Sequence, residues 1–180
     1  ERGRVVTEKT TLLVGTTKGT FLLSGDQDRL VWFVSGPHCD GWTINHVVGD
    51  PETGTIWAAG GGDWSGAGVW RSENYGRTWG LTRLTRGQMD DLAANDADFA
   101  KMIGWTNEPL PFDDDFSQIW SLRFSHGTLY CIFSGKPSLC HETFNILHDN
   151  NGVIDNHAQN QNQCGDGISI QRNTQYRHHP

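Results

Sequence analysis

Apolar residues fall along this chain in short runs, alternating or continuous, separated by turns rich in Gly and Asp. That pattern belongs to antiparallel strands rather than to helices. Residues 12–17 and 20–23 read as a hairpin about Lys18-Gly19, and a turn at 25–28 leads into a third strand at 30–34. After a polar loop at 38–42, four more strands are expected at 44–48, 55–59, 69–72 and 78–84. They are joined by a turn at 50–54, a Gly-rich loop at 60–68 and a polar turn at 73–77. Four strands in about 40 residues is the size of one propeller blade. A second copy starts at 119–124, turns at His126-Gly127 and continues through 128–133. Its joint Gly127-Thr128-Leu129-Tyr130 matches Gly54-Thr55-Ile56-Trp57. The first meander supplies a degenerate third copy, with Val14-Gly15-Thr16 as the second strand and Trp32 as the closing aromatic.

Between the two clearer copies lies an insertion at 85–117. Within it a helix is expected, capped by Asn95, with acids in its first turn, Phe99, Met102 and Ile103 on one face, and Gly104 at its end. From Phe144 to Pro180 the chain is rich in Asn, Gln and His, so a packed strand is not expected there. Residues 148–155 imitate the earlier turn poorly. The chain therefore divides into an N-terminal extension (1–11), a repeat region (12–142) and a polar tail, disordered or non-native (143–180).

Composition sharpens this picture. The 36 % hydrophobic content with 22 glycines suits one loop-rich domain, and all eight tryptophans lie between Trp32 and Trp120, which places the packed region there. A formal charge of −7 without a Lys/Arg cluster argues against a nucleic-acid surface or an anionic membrane surface. No apolar run reaches the roughly 18 residues of a membrane-spanning helix. Cys39, Cys131, Cys140 and Cys164 match no compact disulfide framework, so reduced thiols are expected, favouring a cytoplasmic over a secreted setting. Cys140-His141 with Cys131 and His148 fits no common zinc spacing. Gly60 to Gly62 lack the Lys and the following helix of a phosphate loop. No metal or cofactor is expected.

Ser72-Glu73-Asn74-Tyr75-Gly76-Arg77-Thr78-Trp79 resembles the Asp-box, or BNR repeat, Ser-x-Asp-x-Gly-x-Thr-Trp, with Asn74 in the place of the usual Asp. Residues 35–42, 49–54 and 115–122 extend the likeness, and from Leu12 to Tyr130 the chain is similar to the N-terminal part of BNR-repeat, YVTN-like propeller proteins of the sialidase-like glycosyl hydrolase group. The resemblance implies an all-β fold, a partial β-propeller of about two and a half four-stranded blades with a short helical insertion. It also implies a structural role for Ser72, Asn74, Gly76, Thr78 and Trp79 on an outer hairpin. Ring closure would need further blades, and an uncovered blade face is expected to be an association patch. A sialidase likeness further implies an arginine triad, a Tyr–Glu pair and an Asp acid. Arg71 and Arg77 belong to the box hairpin, which leaves Arg123 as the arginine able to face a channel.

In a meander the box turn lies on one side of the blade, whereas residues 36–43, 60–68, 85–117 and 135–138 lie on the other. A ligand is expected on that second side. Candidates are Asp40 and Asp63 as catalytic carboxylates, with His38, Trp42, His46, Trp64 and Arg123 as binding residues and Asp113 to Asp115 as an acidic loop. Two functions fit: a glycoside hydrolase of exo-α-sialidase type, or a non-catalytic propeller that binds a glycan or a protein, as sortilin-like receptors and assembly factors do.

Overall fold

The computed structural model describes residues 10–112, 116–135 and 143–147; for 134–135 and 143–147 it is the backbone path that is described. Asp113 to Asp115, Cys140, His141, His148, Cys164, the loop 136–138 and the imitation box at 148–155 lie outside the described residues.

Ten strands and two helices follow one another: β1 (Thr10–Thr16), β2 (Gly19–Gly25), β3 (Trp32–His38), β4 (Ile44–Asp50), β5 (Thr55–Gly62), β6 (Gly66–Ser72), β7 (Gly80–Arg83), α1 (Gln88–Asn95), α2 (Ala97–Ile103), β8 (Phe116–Ser125), β9 (Thr128–Gly135) and β10 (Thr143–Leu147). They form three antiparallel sheets, β1-β2-β3, β4-β5-β6-β7 and β10-β9-β8. The fold is mostly β, and none of the sheets closes on itself. In each sheet, strands that are consecutive in the chain lie next to one another, which is a meander order. In the first hairpin, Thr16 pairs with Gly19 across two residues. Gly19 has φ +119, and a Cβ there would collide with the His38 carbonyl, so glycine is required for both reasons.

The second sheet lies between the other two. Its strand β5 is buried on both faces, as its near-continuous apolar run Thr55-Ile56-Trp57-Ala58-Ala59 implies. Ile56 and Ala58 join Trp70, Ile44, Val47, Leu22 and Cys39 in a core against the first sheet. Trp57 and Ala59 join Val69, Ala67, Ile119, Leu122, Leu129, Cys131 and Phe133 in a core against the third. Period-two alternation thus sends neighbouring residues of one strand into two different cores.

The edge strands β4 and β8 are tied by side chains. Asn45 Nδ2 donates to the Ile119 carbonyl at 2.9 Å, and the Leu122 N–H donates to His46 Nδ1 at 2.8 Å, so β4 and β8 run in the same sense. β1 runs against β4: a Cβ on Gly15 would touch Ile44, whereas one on Gly49 would touch Leu13.

Four differences from the sequence-based expectation bear on the fold. The third strand runs Trp32–His38 rather than 30–34, because the turn before it is longer: Asp26 accepts the Leu30 N–H and pairs its own N–H with the Val31 carbonyl. The Gly-rich loop shrinks to a three-residue turn, as Gly62 pairs with Gly66. The insertion holds two helices, and the cap of the second is Asp96, whose Oδ1 accepts the N–H groups of Asp98 and Phe99 at 3.0 Å, while Asn95 ends the first. Gly104 ends α2 in the left-handed conformation, as expected. Finally, β10 pairs with β9 in a stretch whose composition did not announce a strand. Its pairing rests on backbone groups, which composition does not record.

Candidate functional site

The residues that resemble an Asp-box form a closed hydrogen-bond system. Ser72 Oγ accepts the Gly76 N–H at 2.9 Å, and Asn74 Oδ1 accepts the Thr78 N–H at 2.9 Å. Asn74 Nδ2 donates to Thr78 Oγ1 at 2.7 Å, and Trp79 Nε1 donates to the Gly76 carbonyl at 3.0 Å. The bond from Nδ2 to Thr78 is one that an ionised Asp could not donate, so Asn74 serves the turn in its own way. Gly76, at φ +81, packs directly on Leu22 of the first sheet. The Tyr75 N–H reaches the Gly54 carbonyl at 3.1 Å, which puts the box beside the β4–β5 turn, the side expected from strand direction.

A second turn of the same design, not recognised from sequence, joins β2 to β3. Asp26 Oδ1 accepts the Leu30 N–H, four residues on, at 2.9 Å, and Trp32 Nε1 donates to the Arg29 carbonyl, three residues back, at 3.1 Å. Both steps reproduce those of Asn74 and Trp79. Arg29 supplies the positive φ, 57°, that Gly76 supplies in the box. The signal was present as Ser24-x-Asp26, the spacing of Ser72-x-Asn74, but one extra residue before Trp32 hid it.

The candidate residues do not come together as one catalytic centre. His46 is structural: besides the Leu122 N–H, its Nδ1 lies 3.0 Å from Ser121 Oγ, between two sheets. Trp42 is part-buried, edge-on to Trp70 with ring centres 6.0 Å apart. His38 lies 2.8 Å from Ser35 Oγ through Nε2, with its ring 5.8 Å from Trp79. The two sides expected from strand direction are therefore not separate at His38, because the twist of the sheets brings the end of β3 over Trp79. Arg123 is exposed on β8. Asp40, at φ 49 in the β3–β4 loop, and Asp63, in the β5–β6 turn, are both exposed, and neither carboxylate makes a hydrogen bond or an ion pair with a described residue.

Around Asp63 the structure is more specific. The Asp63 and Trp64 carbonyls accept the N–H groups of Gln88 and Met89 at 2.8 and 3.0 Å, so the β5–β6 turn and the start of α1 form one unit. Asp90, 3 % exposed, anchors that unit to β7. It takes Arg83 through both carboxylate oxygens, the Gly87 N–H at 2.9 Å and Trp105 Nε1 at 2.9 Å. Burial pushes its carboxyl pKa up, but these donors and the guanidinium charge outweigh burial and hold it at about 2. On this base Trp64 stays 53 % exposed, its ring steeply inclined to that of Phe99 with centres 6.5 Å apart. Asp90 and Trp105 were not singled out from sequence, since Asp90 meets partners 7 and 15 residues away on other segments of the chain, contacts that no local spacing announces.

Compared with known proteins, the chain matches no family model and no curated protein. Function rests on the residues themselves. Trp64 offers an open aromatic face, with the Asp63 carboxylate on the adjoining residue of the same turn. Such a pair can pack on a sugar ring and accept hydrogen bonds from its hydroxyl groups. Among the described residues no group of three or more His, Cys, Asp or Glu side chains could hold a metal ion, and no helix is long and apolar enough to cross a membrane. Cys39 and Cys131 are buried free thiols; burial, the larger influence, pushes Cys39 up to about 11 and Cys131 higher still, so neither is poised as a nucleophile.

Proposed function

We propose that this chain is part of a β-propeller-type repeat protein of the Asp-box kind, and that it binds a glycan, without catalysis, on the surface formed by the β5–β6 turn and the helical insertion. The repeat reading is supported by the two turns of one design at Ser24–Trp32 and Ser72–Trp79, each on the last hairpin of its sheet. The binding reading is carried by Trp64, an exposed aromatic held on a rigid unit by Asp90. A non-catalytic role is favoured because Asp40 and Asp63 are exposed and no described residue hydrogen-bonds to either carboxylate, so no described neighbour fixes either in the position an acid or a base needs.

The test is binding of a panel of soluble oligosaccharides, sialosides included, by the chain and by Trp64→Ala. An affinity in the millimolar range or better that falls at least about tenfold in the variant supports the reading, as loss of a stacking platform would. No binding to any sugar overturns it. Turnover of aryl glycosides that Asp63→Asn or Asp40→Asn abolishes would favour a sialidase-like hydrolase instead. A protein ligand is the second reading, favoured by α2: Phe99, Met102 and Ile103 share one face, no residue of the helix is buried, and Met102 is 73 % exposed.

A further inference from the structure

The chain passes from the first sheet to the second through residues 39–43, where Asp40 and Gly41 make the turn. The Trp42 N–H donates to the Cys39 carbonyl at 2.9 Å and closes it. Cys39, Asp40 and Gly41 all have positive φ, 69°, 49° and 76°, a conformation that is strained for the two residues carrying a Cβ. Asp40 and Gly41 are both exposed. The Asp40 carboxylate makes no hydrogen bond or ion pair with a described residue, and the Gly41 N–H makes no hydrogen bond with one. A Cβ added at Gly41 would meet nothing within 4 Å, so the fold leaves open space at this residue. Among the described residues, Asp40 is the one Asp or Asn that is followed by glycine.

We infer that Asp40-Gly41 is a site of covalent modification, at which Asp40 in the folded chain isomerises to isoaspartate without an enzyme. The Gly41 nitrogen attacks Cγ of the protonated Asp40 carboxyl; an N–Cγ bond forms, and the carboxyl hydroxyl leaves with the amide proton as water. The product is a succinimide ring. Water then opens that ring at either carbonyl. Attack at Cγ restores Asp40, whereas attack at the main-chain carbonyl leaves the chain running through Cβ and Cγ, which is isoaspartate, of the same mass and charge. Glycine favours closure because it has no Cβ to crowd its nitrogen, and a carboxyl without a partner is free to turn toward it. The main chain gains one carbon between Cys39, buried in the core between the first two sheets, and Trp42, which packs on that core. The change therefore falls on the join between one sheet and the next. It does not depend on what the Trp64 surface binds.

The test is to keep the folded full chain for weeks in neutral buffer, cleave it after Lys and Arg, and compare it with a sample cleaved at the start. Cleavage at Arg29 and Arg71 yields the fragment 30–71, which holds Asp40, Asp50 and Asp63 together. Isoaspartate is separated from Asp by chromatography and located by electron-transfer fragmentation. It is expected at Asp40, accumulating at a rate of the same order as in the free synthetic peptide 30–71. None is expected at Asp63, which is also exposed but is followed by Trp64, or at Asp50, whose next residue Pro51 has no amide proton to lose. In Asp40→Glu, with folding verified by circular dichroism, the signal is lost, because the corresponding ring is larger and closes more slowly. Absence of isoaspartate at Asp40 in the folded chain, equal amounts at Asp63 and Asp40, or a signal at position 40 that survives in Asp40→Glu would each overturn the inference.

Discussion

Nδ1 of His46 on β4 accepts the backbone N–H of Leu122 on β8 at 2.8 Å. A backbone N–H can only donate, so this nitrogen carries the lone pair and the ring's proton is on Nε2. The Leu122 residue is 3 % exposed, and without the imidazole its N–H would lose that acceptor in a buried place. His46→Ala should therefore destabilise the fold by about 2 kcal/mol, read as a lower urea midpoint, while any sugar affinity at Trp64 stays as it was. A neutral substitution would show that the bond between the sheets contributes nothing.

Trp79 is part-buried and donates to the Gly76 carbonyl at 3.0 Å, closing the box turn. Trp79→Ala should cost about 3 kcal/mol, the low end for a large aromatic because the ring is not fully enclosed. Thermal unfolding would report the loss. Retained stability with lost ligand binding would reverse the structural assignment of the box.

Gly76 combines φ +81 with direct contact on Leu22, so an added methyl group meets both a strained backbone and a side chain of the neighbouring sheet. Gly76→Ala should destabilise by about 2 kcal/mol or more. The companion variant Gly80→Ala faces open space at ordinary φ and should change the midpoint little.

Asp90 gives the fold a pH dependence. Its folded pKa, about 2, lies below the ordinary 3.8, with burial opposing the shift and Arg83, Gly87 and Trp105 producing it. A depressed carboxylate stabilises above its unfolded pKa, and that stabilisation is lost as pH falls through the folded value. Roughly 2 kcal/mol should therefore disappear between about pH 4 and pH 2. Urea midpoints of the wild type and Asp90→Asn over this range would test it. The variant should be weaker at neutral pH and should lack this part of the acid slope; parallel curves would exclude Asp90 as the source.

The four-stranded meander of the second sheet was legible in sequence because its determinants are local. Alternation sets a strand's faces, Gly54 and Gly76 set its reversals, and the hydrogen bonds of Ser72, Asn74 and Thr78 span four residues or fewer. The helical insertion was half legible: Gly104 declared an end, but Asn95 and Asp96 are both good caps, and only packing chose Asp96. The second box-like turn was hidden by a single inserted residue.

The candidate site was less legible still. A sequence shows that His46 is polar and that Trp64 is aromatic, but not that the first is consumed by a partner 76 residues away while the second remains open to water. Sequence by itself determined most strands of the first two sheets and the box-like turn, since each depends on residues within one hairpin. Tertiary structure alone decided which faces are buried, which polar groups are already paired and where Asp90 anchors the insertion. Those outcomes depend on which sheet packs against which, a relation between residues far apart in the chain.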